Sequence, residues 1–217
     1  MAELWTKSAG ELARMIAGGE VSSREVVTAH YDRIAAVNGR VNAVVELLTD
    51  HALAAADAAD AHRAAGKPLG AFHGVPFTVK TNIDYQGSAT HEGAEALKDL
   101  IAPSDAPVVE RMKAAGGIAI GRTNMPDFGL RINTESSLCG PAHNPWDYDR
   151  TVGGSSGGEG AAIATGMSPI GLGNDIGGSV RNPAYANGIA SIKPGFGRIP
   201  AGNESAAMNS SLSAQLM

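Results

Sequence analysis

The segment TVGGSSGGEGAAIATGMSPIGLGNDIGGSVRNP, residues 151–183, decides how this chain is read. It carries two serine sites framed by glycine, GGSSGG and DIGGSVR. Glycine is costly to order, so a position that keeps it usually needs positive φ or a close backbone approach. Two such frames so close together mark a place where backbone amides and hydroxyls converge. Between them the pattern predicts a helix from about Glu159 to Thr165 and a short strand, SPIGL.

Working outward, the same alternation continues. GVPFTVK at 74–80 reads as a short buried strand. Ser104 is the expected cap of a helix, PVVERMKAAGG, which feeds a strand IAIG at 118–121. That strand–helix–strand rhythm is typical of an α/β sheet. A long Asn-, Pro- and Gly-rich loop from 122 to 150 follows, and loops of that length inside a compact domain tend to be functional. ASIKPGFGRIP at 190–200 reads as a further strand and turn.

The first 66 residues read as helices. Ser8 with Glu11 and Ser22 with Glu25 are capping boxes, S-x-x-E. The first helix stops at Gly18-Gly19 and the second at Asn38-Gly39. VNAVVEL at 41–47 is a candidate strand, and Thr49 is the expected cap of an Ala-rich helix ending at Gly66. With no repeat or linker, the chain counts as one domain, 1–217, with a helical region at 1–66 and a core at 67–217. The C-terminal run is apolar at Leu212, Leu216 and Met217, which reads either as a frayed end or as a chain cut in mid-domain.

Composition narrows the function classes. The chain has 217 residues, enough for one substantial core, and 43% of them are hydrophobic. Net charge is −5 and there is no Lys/Arg run, which argues against nucleic acid or an anionic membrane surface as partner. A single cysteine, Cys139, excludes an intrachain disulfide and fits a reducing, cytoplasmic compartment. The N-terminus lacks the basic-then-apolar pattern of a signal peptide, and no segment approaches the length of a membrane span.

Lys80 closes an apolar strand. It is either a snorkelling lysine with its ammonium in water or a desolvated amine. In the second case lowering its pKa from ~10.4 to ~7 takes roughly 4–5 kcal/mol of differential environment and yields a general base at neutral pH. Ser179, after Gly177 and Gly178, is a plausible nucleophile, because two glycines let backbone N–H groups turn toward one point. Ser155 or Ser156 could bridge nucleophile and base. Each loop taken singly also fits a tight turn or a helix cap.

Rival chemistries fit less well. GGSSGG before a helix could hold phosphate, yet neither G-x-x-x-x-G-K-[ST] nor a strand–G-x-G-x-x-G–helix occurs. Residues 154–158 match G-x-S-x-G, but an α/β-hydrolase needs its histidine after the serine, and all six histidines precede Ser156. His143, the nearest of them, reads as a loop residue. His51, Asp57, Asp60 and His62 match no metal spacing and read as a solvated helix face. Cys139 lacks a partnered histidine motif.

The run GGSSGGEGAAIATG…GLGNDIGGSVRNPA…GIASIKP closely resembles the amidase signature family. GVPFTVKTNID, GRTNMPDFG, NTESSLCGPAHNPWD and the N-terminal helix pair are similar to that family too, so the resemblance covers nearly the whole chain. It implies an α/β fold with a mixed central sheet flanked by helices on both faces, truncated at its C-terminal end. It implies a catalytic trio of Lys80, a bridging Ser155 in a cis peptide, and the nucleophile Ser179. Oxyanion donors fall on the backbone N–H groups of Ile176, Gly177, Gly178 and Ser179, and loop bracing on Asp175 and Arg181. No metal or organic cofactor is implied. The expected substrate is a small amide, ester or carbamate, and oligomeric state is left open, a homodimer being compatible with it.

Two local departures stand out. Thr81 follows the lysine where many members carry an acidic residue, and NTESS replaces the more usual S-T-E-N-S. Three functions remain in view: a serine-dependent amide hydrolase, an amidotransferase subunit of the same superfamily acting on charged tRNA, and an inactive truncated fragment.

Overall fold

A computed structural model describes residues 3–200, 202 and 214–216. Among these residues six α-helices and seven strands follow in chain order: α1 (Ala9–Gly18), α2 (Ser23–Val41), β1 (Val44–Leu47), α3 (Thr49–Ala64), β2 (Pro76–Lys80), α4 (Pro107–Ala114), β3 (Ile118–Thr123), β4 (Glu135–Ser136), β5 (Gly140–Pro141), α5 (Gly157–Ala164), β6 (Gly171–Asn174), α6 (Arg181–Asn187) and β7 (Ala214–Leu216). Five strands form one sheet in the order β1-β3-β2-β6-β7, and β4 with β5 form a separate small hairpin. The central three, β3, β2 and β6, run parallel, while β1 and β7 are antiparallel at the edges. This is the mixed α/β sheet expected from the sequence.

Side-chain alternation splits the sheet into two differently used faces. Phe77 and Val79 of β2, Ala119 of β3 and Leu172 of β6 pack with Val108, Val109 and Met112 of α4. On the opposite face Ile118 and Ile120 of β3 pack with Val27 and Ile34 of α2, Ala52 and Ala56 of α3, and Ala161 and Ala162 of α5. Thr78 and Lys80, one residue out of phase with Phe77 and Val79, therefore belong to the α5 side. Helices do cover both faces.

Local signals mostly place the elements, and the differences have physical reasons. Both capping boxes form, with Ser8 and Ser22 accepting from the backbones of Glu11 and Glu25. Helix α2 runs past the expected stop at Asn38-Gly39 and ends at Val41, capped by Asn42 in the left-handed region. Asn38 instead reaches forward: its Oδ1 accepts from the N–H groups of Ala43 and Val44, each at 2.9 Å, and so orders the entry to β1. Thr49 is the first residue of α3 rather than its cap, and α4 starts at Pro107 without a Ser104 cap, since proline itself suits the first helical position. No strand forms over 190–200 among the described residues; Pro194 and Pro200 remove ladder donors there. Helix α6, closed by Gly188 in the left-handed region, stands where only the second serine loop was expected. Leu212 and Met217 lie outside the described residues, and Leu216 sits in β7, paired with Leu172.

Candidate active site

The site lies where the parallel strands end, the usual place for function in an open α/β sheet. β2 delivers Lys80 and β6 delivers Asn174 followed by Asp175. Burial of Lys80 is complete, which answers the question the sequence left open: the amine does not reach water. Its Nζ lies 2.7 Å from Ser155 Oγ and 2.8 Å from Asn174 Oδ1, in hydrogen bonds to both. Burial pushes its pKa down to about 7, against the opposing pull of Glu159, Asp175 and Glu92.

Ser155 sits in a tightly held loop. The Gly154–Ser155 peptide is cis. Gly154 donates its N–H to Asn182 Oδ1 at 3.0 Å, which ties the first serine loop to α6. Thr134, in the long loop, grips the other side: its hydroxyl donates to the Gly153 carbonyl at 2.9 Å and accepts from the Gly157 N–H at 3.1 Å. Ser156 does not share the amine. Its N–H donates to the Ser179 carbonyl at 3.1 Å, so the backbones of the two serine loops are joined. Between the hydroxyls of Ser155 and Ser179 no hydrogen bond forms among the described residues.

The loop from Asp175 to Ser179 is organised around one carboxylate. Asp175 accepts from the N–H groups of Gly178 at 2.6 Å, Val180 at 3.1 Å and Arg181 at 3.3 Å. Its two oxygens also take the Arg181 guanidinium, at 3.0 Å each. Burial alone would raise its pKa, but the arginine and the three amides outweigh that and hold it well below the usual carboxylate range. Gly178 has φ of 131°, which a side chain would resist, and that turn lets its N–H reach Asp175. One of the four expected oxyanion donors is thus already committed. The N–H groups of Ile176, Gly177 and Ser179 have no protein acceptor among the described residues, and Ile176 is 64% exposed.

Two groups beside the amine were not singled out from the sequence as site residues. Asn174, the last residue of β6, takes Lys80's second hydrogen bond. Glu159, in the first turn of α5, is fully buried. Thr78 donates to its Oε1 at 2.6 Å and Thr123 donates to its Oε2. Burial raises its pKa to about 7, opposed by Thr123, Thr78 and then Lys80. A glutamate in an Ala/Gly-rich helix flanked by apolar strands was the available signal. The remaining candidates lie elsewhere. His143 stacks on Tyr148, with ring centroids 4.8 Å apart. Asp57 pairs with Arg24, and Asp60 accepts from the N–H groups of Ser23 and Arg24 at the start of α2. Burial raises the Cys139 thiol pKa. No group of three or more metal-ligating side chains occurs among the described residues.

The profile of the family described as Amidase matches residues 25–215. The chain belongs to the amidase signature family. An indoleacetamide hydrolase of Bradyrhizobium diazoefficiens is 54% identical over 99% of this chain and 41% of its own length. One of the subunits of the glutamyl-tRNA(Gln) amidotransferase of Salinispora arenicola is 46% identical over 91% of this chain and 40% of its own. Among solved structures, a fatty acid amide hydrolase superposes with a TM-score of 0.91 at 33% identity, covering 98% of this chain and 38% of that one. This chain therefore spans about two fifths of the length of the curated relatives it matches. No helix among the described residues is long and apolar enough to cross a membrane.

Proposed function

We propose that this amidase signature chain supplies the reacting groups for serine-dependent hydrolysis of a carboxamide. The observation that carries this is the buried amine of Lys80, 2.7 Å from Ser155 Oγ and depressed to about 7. Above that pH the amine is neutral and has a lone pair for the Ser155 proton. Ser179 Oγ attacks the substrate carbonyl carbon, its proton passes to Ser155 Oγ, and the Ser155 proton passes to Lys80 Nζ. The carbonyl oxygen becomes an oxyanion, met by the N–H groups of Ile176, Gly177 and Ser179, while Asp175 and Arg181 hold the loop in shape. The C–N bond then breaks as the proton returns by the same route to the leaving nitrogen, releasing ammonia or an amine. Water attacks the Ser179 ester and gives its proton to the relay, which hands it to Ser179 Oγ as the ester C–O bond breaks and the acid leaves. The 54% identity to an indoleacetamide hydrolase favours a small primary amide over an ester or carbamate.

A fluorophosphonate probe followed by peptide mapping tests the nucleophile. Labelling is expected at Ser179, absent in Ser179→Ala and at least a hundredfold slower in Lys80→Met. Label retained in Ser179→Ala refutes the assignment. The second reading, one component of an amidotransferase, is favoured by the 46% identity to such a component. It requires co-purifying partner subunits and glutamine-dependent transfer, with no hydrolysis of free small amides.

A further inference from the structure

Glu159 has no place in the relay just described, yet it is a fully buried acid bonded to Thr78, two residues before Lys80. Its geometry is built. Oε1 accepts from Thr78 on β2, two residues before Lys80 and on the same face of the strand. Oε2 accepts from Thr123, the last residue of β3. Gly171, the first residue of β6, leaves the space the carboxyl fills: a Cβ there would collide with Glu159 Oε1. One side chain on α5, three residues after Ser156, thus touches all three parallel strands.

We infer that Glu159 is the positioning residue of the relay: its carboxylate fastens the helix behind the serine loop to the strand bearing Lys80, and its charge sets how firmly Lys80 holds a proton. This rests on Lys80 acting as the base. The two roles are linked. The amine must be desolvated to lose its proton, but a lysine with no anion near it would be too weak a base to accept one. The charged groups that act on Lys80 come from three elements: Glu159 on α5, Asp175 after β6 and Glu92 after β2. Of these, Glu159 is tied to the lysine strand itself, through Thr78, whereas Asp175 is engaged by Arg181 and three amides. On the far side Glu159 also feels Arg122 of β3.

The test reads the amine itself and needs no turnover. The chain has six lysines, few enough to resolve by 13C NMR after labelling at Cε. In the unaltered chain Lys80 is expected to titrate near 7. Glu159→Gln keeps the shape and removes the charge; because Glu159 itself titrates near 7, only part of that charge is present at the Lys80 midpoint, which should fall by about half a unit or more. A midpoint unmoved in a folded Glu159→Gln chain overturns the inference. Should that variant not fold, Thr123→Val decides: it strips one donor from the carboxylate and must move Lys80 the same way, by less, and an unmoved midpoint is again fatal. Lys80 titrating near 10 in the unaltered chain would instead remove the base from the proposed function, a separate failure.

Discussion

Replacing Lys80 with methionine isolates the free energy of keeping an amine in the core. The folded amine titrates at about 7, whereas the unfolded chain's lysine titrates at 10.5. Between those values the unfolded state binds more protons, so the lysine chain gains stability as pH rises. Its full contribution is present above the unfolded value and is lost as the pH falls toward the folded one. Methionine fills nearly the same volume and does not titrate. Each pH unit inside the window corresponds to about 1.4 kcal/mol, and with partial saturation near its upper edge the interval from pH 8 to pH 10 gives about 2.5 kcal/mol. The hydrogen bonds lost to Ser155 and Asn174 shift the two chains relative to one another at every pH, but they hardly change that slope. Urea unfolding of both chains at pH 8, 9 and 10 measures it, with matched m-values as the check that the unfolded states are alike. The lysine chain should gain about 2.5 kcal/mol on the variant across the interval. Parallel stability curves would falsify the placement of a depressed amine in the core, because an ordinary lysine produces no such window.

Other perturbations give separate readouts. Asp175→Ala should abolish probe labelling and cost about 2–4 kcal/mol in chemical unfolding, since three N–H groups, that of Val180 buried, and the Arg181 guanidinium lose their acceptor. Because Asp175 is held well below the usual carboxylate range, its contribution is present above the unfolded value near 3.8 and is lost only in strong acid; a loop that loosens at pH 4–5, seen by hydrogen exchange, contradicts this. Ser155→Ala should slow labelling of Ser179 at least a hundredfold, whereas Ser156→Ala, whose contribution to the loop is mainly its backbone, should slow it less than tenfold; equal losses refute the distinction. Arg122→Leu should destabilise the chain by about 3–5 kcal/mol in urea melts, because a buried guanidinium donates to Ser88 Oγ at 2.6 Å and the Ile83 carbonyl at 2.8 Å, and its removal leaves nearby acids unbalanced.

What could be read from the sequence was local or strongly patterned. Capping boxes are short-range hydrogen-bond devices, so Ser8 and Ser22 marked two helix starts unaided. The apolar run before Lys80 predicted a buried strand, and β2 is one, buried at all five positions. What could not be read depends on contacts across the chain. Nothing local distinguishes a snorkelling Lys80 from a buried one, because the answer lies in Ser155 and Asn174, 75 and 94 residues away. Asn38-Gly39 carries an ordinary stop signal, yet α2 continues through it because the Asn38 side chain is occupied in steering the next strand. The fate of the four expected oxyanion donors turns on a nearer contact: Asp175 lies three residues before Gly178 and takes its N–H, leaving the other three with no protein acceptor among the described residues.

The proposed relay also accounts for the glycine packed around these residues. A relay needs an amine dry enough to be neutral and hydroxyls close enough to hand it a proton. Drying the amine calls for backbone and carboxylate packed against it with no gap for water. Gly171 makes room for the Glu159 carboxyl on one side. On the other, a Cβ at Gly158 would lie 2.5 Å from the backbone of Asn124, the residue after β3, so α5 could not approach the sheet so closely with any larger residue. Enlarging either glycine to alanine must therefore displace α5 and, with it, the loop that carries Ser155. An overpacked site of this kind costs about 1–3 kcal/mol, a tolerable loss for a folded domain. The proposed relay is far less forgiving, because Lys80 Nζ and Ser155 Oγ sit at 2.7 Å and about 1 Å of further separation takes them out of hydrogen-bond reach. Gly171→Ala and Gly158→Ala should thus unfold only slightly earlier in urea while losing most of their probe labelling. If labelling instead falls only in proportion to the folded fraction, the glycines serve stability alone and the close approach of α5 to the sheet has no part in the chemistry.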